Sequence, residues 1–181
     1  MFKKILLIFT ILTTFAFADG RDFINNLIEQ TNKILVEKDD NRKYLDFINN
    51  NIDIDWISNF VLGVNAKSLN EVEKQEFKIL YSKYLLQNYV SKIKDYSKRA
   101  KITKVDEKSK TISIVNIDTK DATGTSLSVD FRITNKNGKF LIIDIIPEGI
   151  SFIGSQRTDV GGSIQKLGYK EFIKELKKKI K

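Results

Sequence analysis

The hydrophobic pattern of this chain changes its period once, near Lys98, from the three- and four-residue steps of helices to the two-residue step of strands. Ahead of that point, Phe23, Leu27, Ile28, Ile34 and Leu35 fall mainly on one side of a helical stretch over residues 20–38. Two shorter helical pieces follow, over residues 44–50 and 54–62. Asp53 or Asp55 suits the start of the second piece, and Gly63 suits a left-handed cap at its end. Ser68 followed by Glu71 has the spacing of a capping box and predicts a long helix to about Ser97. Along it Phe77, Leu80, Tyr81, Tyr84, Leu85, Tyr89, Ile93 and Tyr96 form a broad stripe on one face. A stripe so rich in tyrosine suits a core whose hydroxyls reach the rim, and it also suits the wall of a ligand cavity.

After Lys98, β-branched residues and alternation predict strands near residues 100–106, 111–119, 127–134 and 139–146, read as an antiparallel sheet. Lys136-Asn137-Gly138 suits a three-residue hairpin loop with Gly138 in the left-handed position. Counting back from that loop, Val129, Phe131 and Ile133 face the same side as Leu141, Ile143 and Ile145. Asp130 then lies opposite Asp144, with Arg132 diagonal to both. One face of the sheet is therefore strongly apolar. Pro147 cannot donate a ladder hydrogen bond, so the last strand ends there or lies at an edge.

At the N-terminus, Lys3 and Lys4 precede an apolar run from Ile5 to Phe17 that closes on Ala16-Phe17-Ala18, the small-x-small pattern of a signal-peptidase site. Residues 1–18 read as a signal peptide, with the mature chain starting at Asp19. A retained anchor needs about 18 to 25 apolar residues, and this run is shorter and is broken by Thr10, Thr13 and Thr14. No cysteine follows the site, so a lipid anchor there is excluded. Residues 19–181 suit one compact domain and are few for two. Setting aside Lys3 and Lys4 leaves 29 Lys and Arg against 23 Asp and Glu, a charge of +6 that suits anionic lipid, an acidic partner or nucleic acid. Export argues against nucleic acid. Without cysteine there is no disulfide, and stability rests on apolar packing.

Histidine is absent, which removes the commonest general base and the commonest metal ligand. Neither a metal site nor a cofactor is expected. Asp130 and Asp144 could form an acid and base pair, yet Arg132 beside them favours two ionised carboxylates and a structural cluster. A hydrolase would have to draw on Asp130, Asp144 or Glu148. Gly161-Gly162 is too little for a phosphate cradle. The C-terminal lysines, Lys174, Lys177, Lys178, Lys179 and Lys181, read as a solvated face or as a contact for anionic lipid or an acidic partner.

Three blocks carry a family resemblance: Val129-Asp130-Phe131-Arg132, Asn137-Gly138-Lys139-Phe140, and Asp144-Ile145-Ile146-Pro147-Glu148-Gly149-Ile150-Ser151. In order and spacing they are similar to the motifs of the MlaC or toluene-tolerance family. Phe60-Val61-Leu62-Gly63 upstream, and Gln156-Arg157-Thr158-Asp159 with Ile164 to Tyr169 downstream, resemble further family segments. Phe140 stands where a tryptophan is usual, Val160 where a phenylalanine is usual, and Pro147 where an aliphatic or small residue is usual.

The resemblance implies an α+β, nuclear-transport-factor-like fold: helices packed on a curved antiparallel sheet around one lipid-sized apolar cavity, with residues 19–181 forming a single phospholipid-binding domain. It implies acyl tails held by Phe60, Phe77, Tyr81, Tyr84, Leu85 and Tyr89 from the helices and by Val129, Phe131, Ile143 and Ile145 from the sheet. The implied function is a periplasmic carrier, not an enzyme, with phospholipid as cargo. Its implied partners are an inner-membrane ABC-transporter complex with an MCE-type subunit and an outer-membrane lipoprotein complex, and its implied role is to maintain outer-membrane lipid asymmetry. The rival reading is a periplasmic adaptor or inhibitor with a solid core that presents the tyrosine helix to a protein partner.

Overall fold

The structure, a computed structural model, describes residues 19–36, 41–97, 99–120 and 123–180, with backbone alone at 34–36, 41–42, 44–45 and 88–97. The signal peptide expected at residues 1–18 lies outside the described residues. The elements run α1 (Gly20–Val36), α2 (Asn41–Asn51), α3 (Ile54–Leu62), a 3-10 turn (Gly63–Ser68), α4 (Glu71–Ser97), β1 (Lys101–Glu107), β2 (Ile112–Lys120), β3 (Ser126–Lys136), β4 (Lys139–Pro147), α5 (Phe152–Leu167) and α6 (Tyr169–Lys179). The four strands form one antiparallel meander in chain order. The expected α+β architecture is present. Helix α5 goes beyond the predicted elements, and its Gly154, Gly161 and Gly162 explain why the helical signal there is weak.

Local chemistry sets the element ends. Asp53 starts α3 by accepting from the Trp56 amide at 3.2 Å, and its own amide donates to the Ile142 carbonyl at 2.9 Å. Lys136 on β3 reaches the Asp53 carboxylate at 2.5 Å, so this buried residue ties the α2–α3 junction to the β3–β4 hairpin. At the other end of α3, Gly63 has φ +56°, and a Cβ there would sit 3.1 Å from the Arg157 guanidinium. Arg157 uses that approach to donate to the Phe60 carbonyl at 2.9 Å and to lie 4.8 Å from the centre of the Phe60 ring. The start of α4 differs from expectation. Ser68 donates to Asn65 O within the 3-10 turn, and the capping box is Asn70 with Glu73, each side chain bonded to the other's amide at 2.9 Å.

The β3–β4 hairpin also differs. Lys136 pairs with Lys139, so the loop has two residues, Asn137 and Gly138, both at positive φ as a type I′ turn requires. One residue fewer in the loop reverses the facing of β4, which brings Phe140 and Ile142 to the face of Ile133 and turns Leu141 away. A bulge after Ile142 then reverses it again. Ile143 is the extra residue, and beyond it Asp144 pairs with Arg132, Ile145 with Phe131 and Ile146 with Asp130. Of the three β4 residues expected opposite Val129, Phe131 and Ile133, Ile145 alone shares their face in regular register. β4 ends at Pro147 and is also a sheet edge, so both expectations for that proline hold.

Two apolar cores result. One lies between α1, α2, α4 and the sheet, and contains Phe23, Ile24, Leu27, Phe47, Ile48, Leu86, Val115, Ile117, Val129, Ile133, Phe140 and Ile142. The other is built from α3, α4, α5 and α6 alone, around Ile57, Val61, Phe77, Tyr81, Val160, Phe172 and Leu176. They meet along α4, where Leu85 belongs to the helical core and Leu86 to the sheet core, and at Ile52, which packs against both.

The Tyr169 hydroxyl locks α6 onto α4 by donating to Glu73 O at 2.7 Å. Burial, then the nearby Glu76 and Glu73 carboxylates, push this phenol up from 10.0 to about 12. The folded state therefore keeps a proton that the unfolded chain releases near pH 10, so this contribution is whole below pH 10 and is lost as pH rises through about 12. In urea unfolding, Tyr169→Phe is expected to cost about 1 kcal/mol at neutral pH and to flatten the fall in stability above pH 10; an unchanged alkaline slope contradicts this assignment.

Candidate functional site

The inner face of the sheet is the apolar surface the sequence predicted, but its helical cover is incomplete. Val115, Ile117, Val129 and Ile133 form a closed centre under α1 and α2, each no more than 2% exposed. Around them Ile102, Val105, Leu127, Phe131 and Ile145 are only partly buried. These five come from β1, β3 and β4, so the open apolar margin runs along much of the sheet. Ala100 and Ile28 flank it. Full burial of a large aliphatic side chain stabilises by about 1.5–3 kcal/mol, so a margin of half-covered ones forgoes part of that stabilisation.

The residues expected to hold a lipid divide between the two cores. Val129, Phe131 and Ile145 lie together on the inner sheet face. Phe77, Tyr81 and Leu85 are buried in the helical core, with Phe60 and Tyr84 packed at its edge. The rings of Phe77 and Tyr81 stack at 5.2 Å, and those of Tyr81 and Tyr84 at 6.1 Å. Phe60 stacks on Trp56 at 4.9 Å. Ile143 is buried at the bulge. The Tyr89 side chain lies outside the described residues. The tyrosine stripe thus supplies core residues and rim residues from one helix.

The carboxylates weighed for acid and base chemistry are each engaged separately. Asp130 pairs with Ile146 rather than with Asp144, and accepts from the Asn116 side chain at 2.8 Å. Asp144, 3% exposed, accepts from Ser151 Oγ at 2.7 Å and from the Ile153 amide at 3.1 Å, with the Arg132 guanidinium at 3.6 Å. Ser151 in turn caps α5 through the Gly154 amide at 2.9 Å. The carboxylate therefore neutralises the amide end of α5 and fixes that helix to the bulge. Glu148 accepts from the Ser128 amide at 2.6 Å. This places a structural joint where the motif Asp144 to Ser151 runs.

A second concave feature, missed by the sequence reading, lies among α4, α5 and α6. It is a cleft of about 470 Å³ lined by Tyr81 and Tyr84 from α4, by Asp159 from α5 and by Lys179 from α6, among others. Its residues on α5, Gln156, Asp159, Val160 and Ser163, share a helical face, a pattern visible once α5 is known to be a helix. The basic run of α6 is largely paired: Lys174 with Glu171, Lys178 with Glu175, and Lys177 with Glu76 on α4. Lys181 lies outside the described residues. Among the described residues no group of three or more Asp or Glu side chains could hold a metal ion, and no helix is long and apolar enough to cross a membrane.

Comparison with known proteins adds to this geometry. The family model described as MlaC protein matches residues 23–178. No curated protein matches the sequence. Among solved structures, a phospholipid-binding protein from Ralstonia solanacearum, determined in complex with a phospholipid, superposes with a TM-score of 0.75 over 90% of this chain and 97% of that one, at 12% identity. At that identity the likeness shows a shared fold.

Asp144→Ala would leave the Ser151 hydroxyl and the buried Ile153 amide without their acceptor. A loss of about 3 kcal/mol in urea unfolding is expected from a buried, multiply bonded carboxylate. A loss under about 0.5 kcal/mol, the size of an ordinary surface change, would contradict the role assigned to this joint.

Proposed function

The chain belongs to the MlaC family, and from that premise we propose that it is a phospholipid-binding carrier whose acyl tails lie on the inner face of the sheet. The observation that carries this reading is the apolar margin of Ile102, Val105, Leu127, Phe131 and Ile145, left half covered around a closed centre. Tails inserted beside α1 and the second half of α4 would complete the burial these side chains lack. Val129 forms the floor, and Leu85 and Leu86 continue the wall along α4, where the two cores meet. Each buried methylene contributes about 0.8 kcal/mol, so two tails bind strongly without a polar contact to the glycerol. The phospholipid in the Ralstonia solanacearum protein of like fold supports the same cargo class.

Holding lipid by its tails defines a mechanism that needs no bond chemistry. The inner face excludes water from the tails, while the charged headgroup keeps its hydration outside. Loading and release are then exchanges between this face and a membrane protein that presents lipid, driven by the relative affinities of the two sites. We place the carrier in the periplasm on the strength of its family and the export signal read at residues 1–18. There it would take phospholipid between an inner-membrane ABC-transporter complex and an outer-membrane lipoprotein complex, in support of outer-membrane lipid asymmetry.

Native mass spectrometry of the mature protein, purified from the periplasm without detergent, tests this reading. About one phospholipid per chain is expected, and Phe131→Asp should lower the bound fraction at least tenfold by placing a charge on the tail surface. A folded wild-type protein that carries no lipid and takes none from vesicles would overturn it and favour the adaptor.

A further inference from the structure

We propose that the cleft among α4, α5 and α6 is a second ligand site, distinct from the tail-binding face, and that it takes a small zwitterion bearing a primary ammonium and a phosphate or carboxylate. Its volume of about 470 Å³ falls in the range of small-ligand pockets. The feature that points to a ligand is Gln156. This residue is 8% exposed, lines the cleft from the middle of α5, and its carboxamide forms no hydrogen bond among the described residues. A carboxamide has two donors and an acceptor, and here they open onto the cleft with no protein partner among the described residues. A bound polar group can take those hydrogen bonds directly.

The rim states which polar group. Asp159 on α5 and Lys179 on α6 border the cleft, and neither has an ion-pair partner among the described residues. Glu175, also on the rim, is already held by Lys178 at 2.6 Å. One free carboxylate and one free ammonium on facing helices complement a ligand that carries both signs and little net charge. The stacked rings of Tyr81 and Tyr84 form the apolar side, which suits a short hydrocarbon stem and offers ring faces to an ammonium. Tyr84 and the sheet-core residue Leu86 leave α4 on different faces, so the helix itself separates this cleft from the tails.

Glycerophosphoethanolamine is the probe, with glycerophosphoglycerol as the same phosphodiester anion without the ammonium, each titrated into the mature chain and followed by nitrogen-15 NMR. The amide signals of Asp159 and Ser163 and the side-chain amide of Gln156 are expected to move, with glycerophosphoglycerol binding at least about tenfold more weakly. Asp159→Asn, an exposed change that spares the fold, should weaken the probe about tenfold, and Gln156→Leu about fivefold. Competition by vesicles containing phosphatidylethanolamine, but not phosphatidylglycerol, would identify a lipid headgroup as the source; binding without such competition would identify a free zwitterion, and both support the site. Cleft signals that stay still in the millimolar range, or an affinity that Asp159→Asn leaves unchanged, would overturn it. Lipid content by mass spectrometry reports separately on the tail face, so a failure here is distinguishable from a failure of the carrier reading.

Discussion

The extra residue at Ile143 is the constraint on which the rest of the sheet depends. The two-residue Asn137-Gly138 loop gives β4 a facing that, continued without a break, would turn Asp144 into the apolar layer and Ile145 out of it. A carboxylate buried there without partners would cost several kcal/mol. The bulge reverses the facing between Ile142 and Asp144. Ile145 therefore joins Phe131 on the inner face, and Asp144 reaches the amide end of α5. One inserted residue thus supplies both the place of Ile145 in the apolar margin and the joint that anchors the helical core.

That division has a functional consequence. The helical core of α3, α5, α6 and the first half of α4 draws no side chain from the sheet among the described residues. Its packing, the Asn70 and Glu73 cap and the Tyr169 lock stabilise the molecule without filling the space over the sheet. The inner face can then stay half covered at its margin, as a carrier requires, because the stability of the domain does not rest on that face alone. Arg157 and Gly63 close the far end of α3 in the same self-contained way.

Much of this was legible in the amino-acid sequence, and the failures have identifiable causes. The α3 bounds, the cap at Asp53, the four strands and the apolar face of β3 follow from period and cap chemistry, which act locally. The hairpin loop was read one residue too long, because three-residue and two-residue loops with glycine differ only by a pairing at Lys136 and Lys139 that tertiary packing decides. The bulge has no local signature: Ile142, Ile143, Ile145 and Ile146 are alike in chemistry. Ser68 and Glu71 imitate a capping box two residues ahead of the true one, since a 3-10 turn intervenes. The stripe on α4 was legible as apolar, but not its allotment between two cores, which depends on α5, a helix hidden by its glycines.

A phospholipid carrying a photoactivatable group near the end of one acyl chain tests the central claim most directly. After loading and irradiation, peptide mass spectrometry is expected to find the adducts on the inner sheet face, at or beside Phe131, Ile145, Leu127 and Ile102. Adducts confined to the helical core around Phe77 and Phe172, or none in a loaded protein, would contradict it.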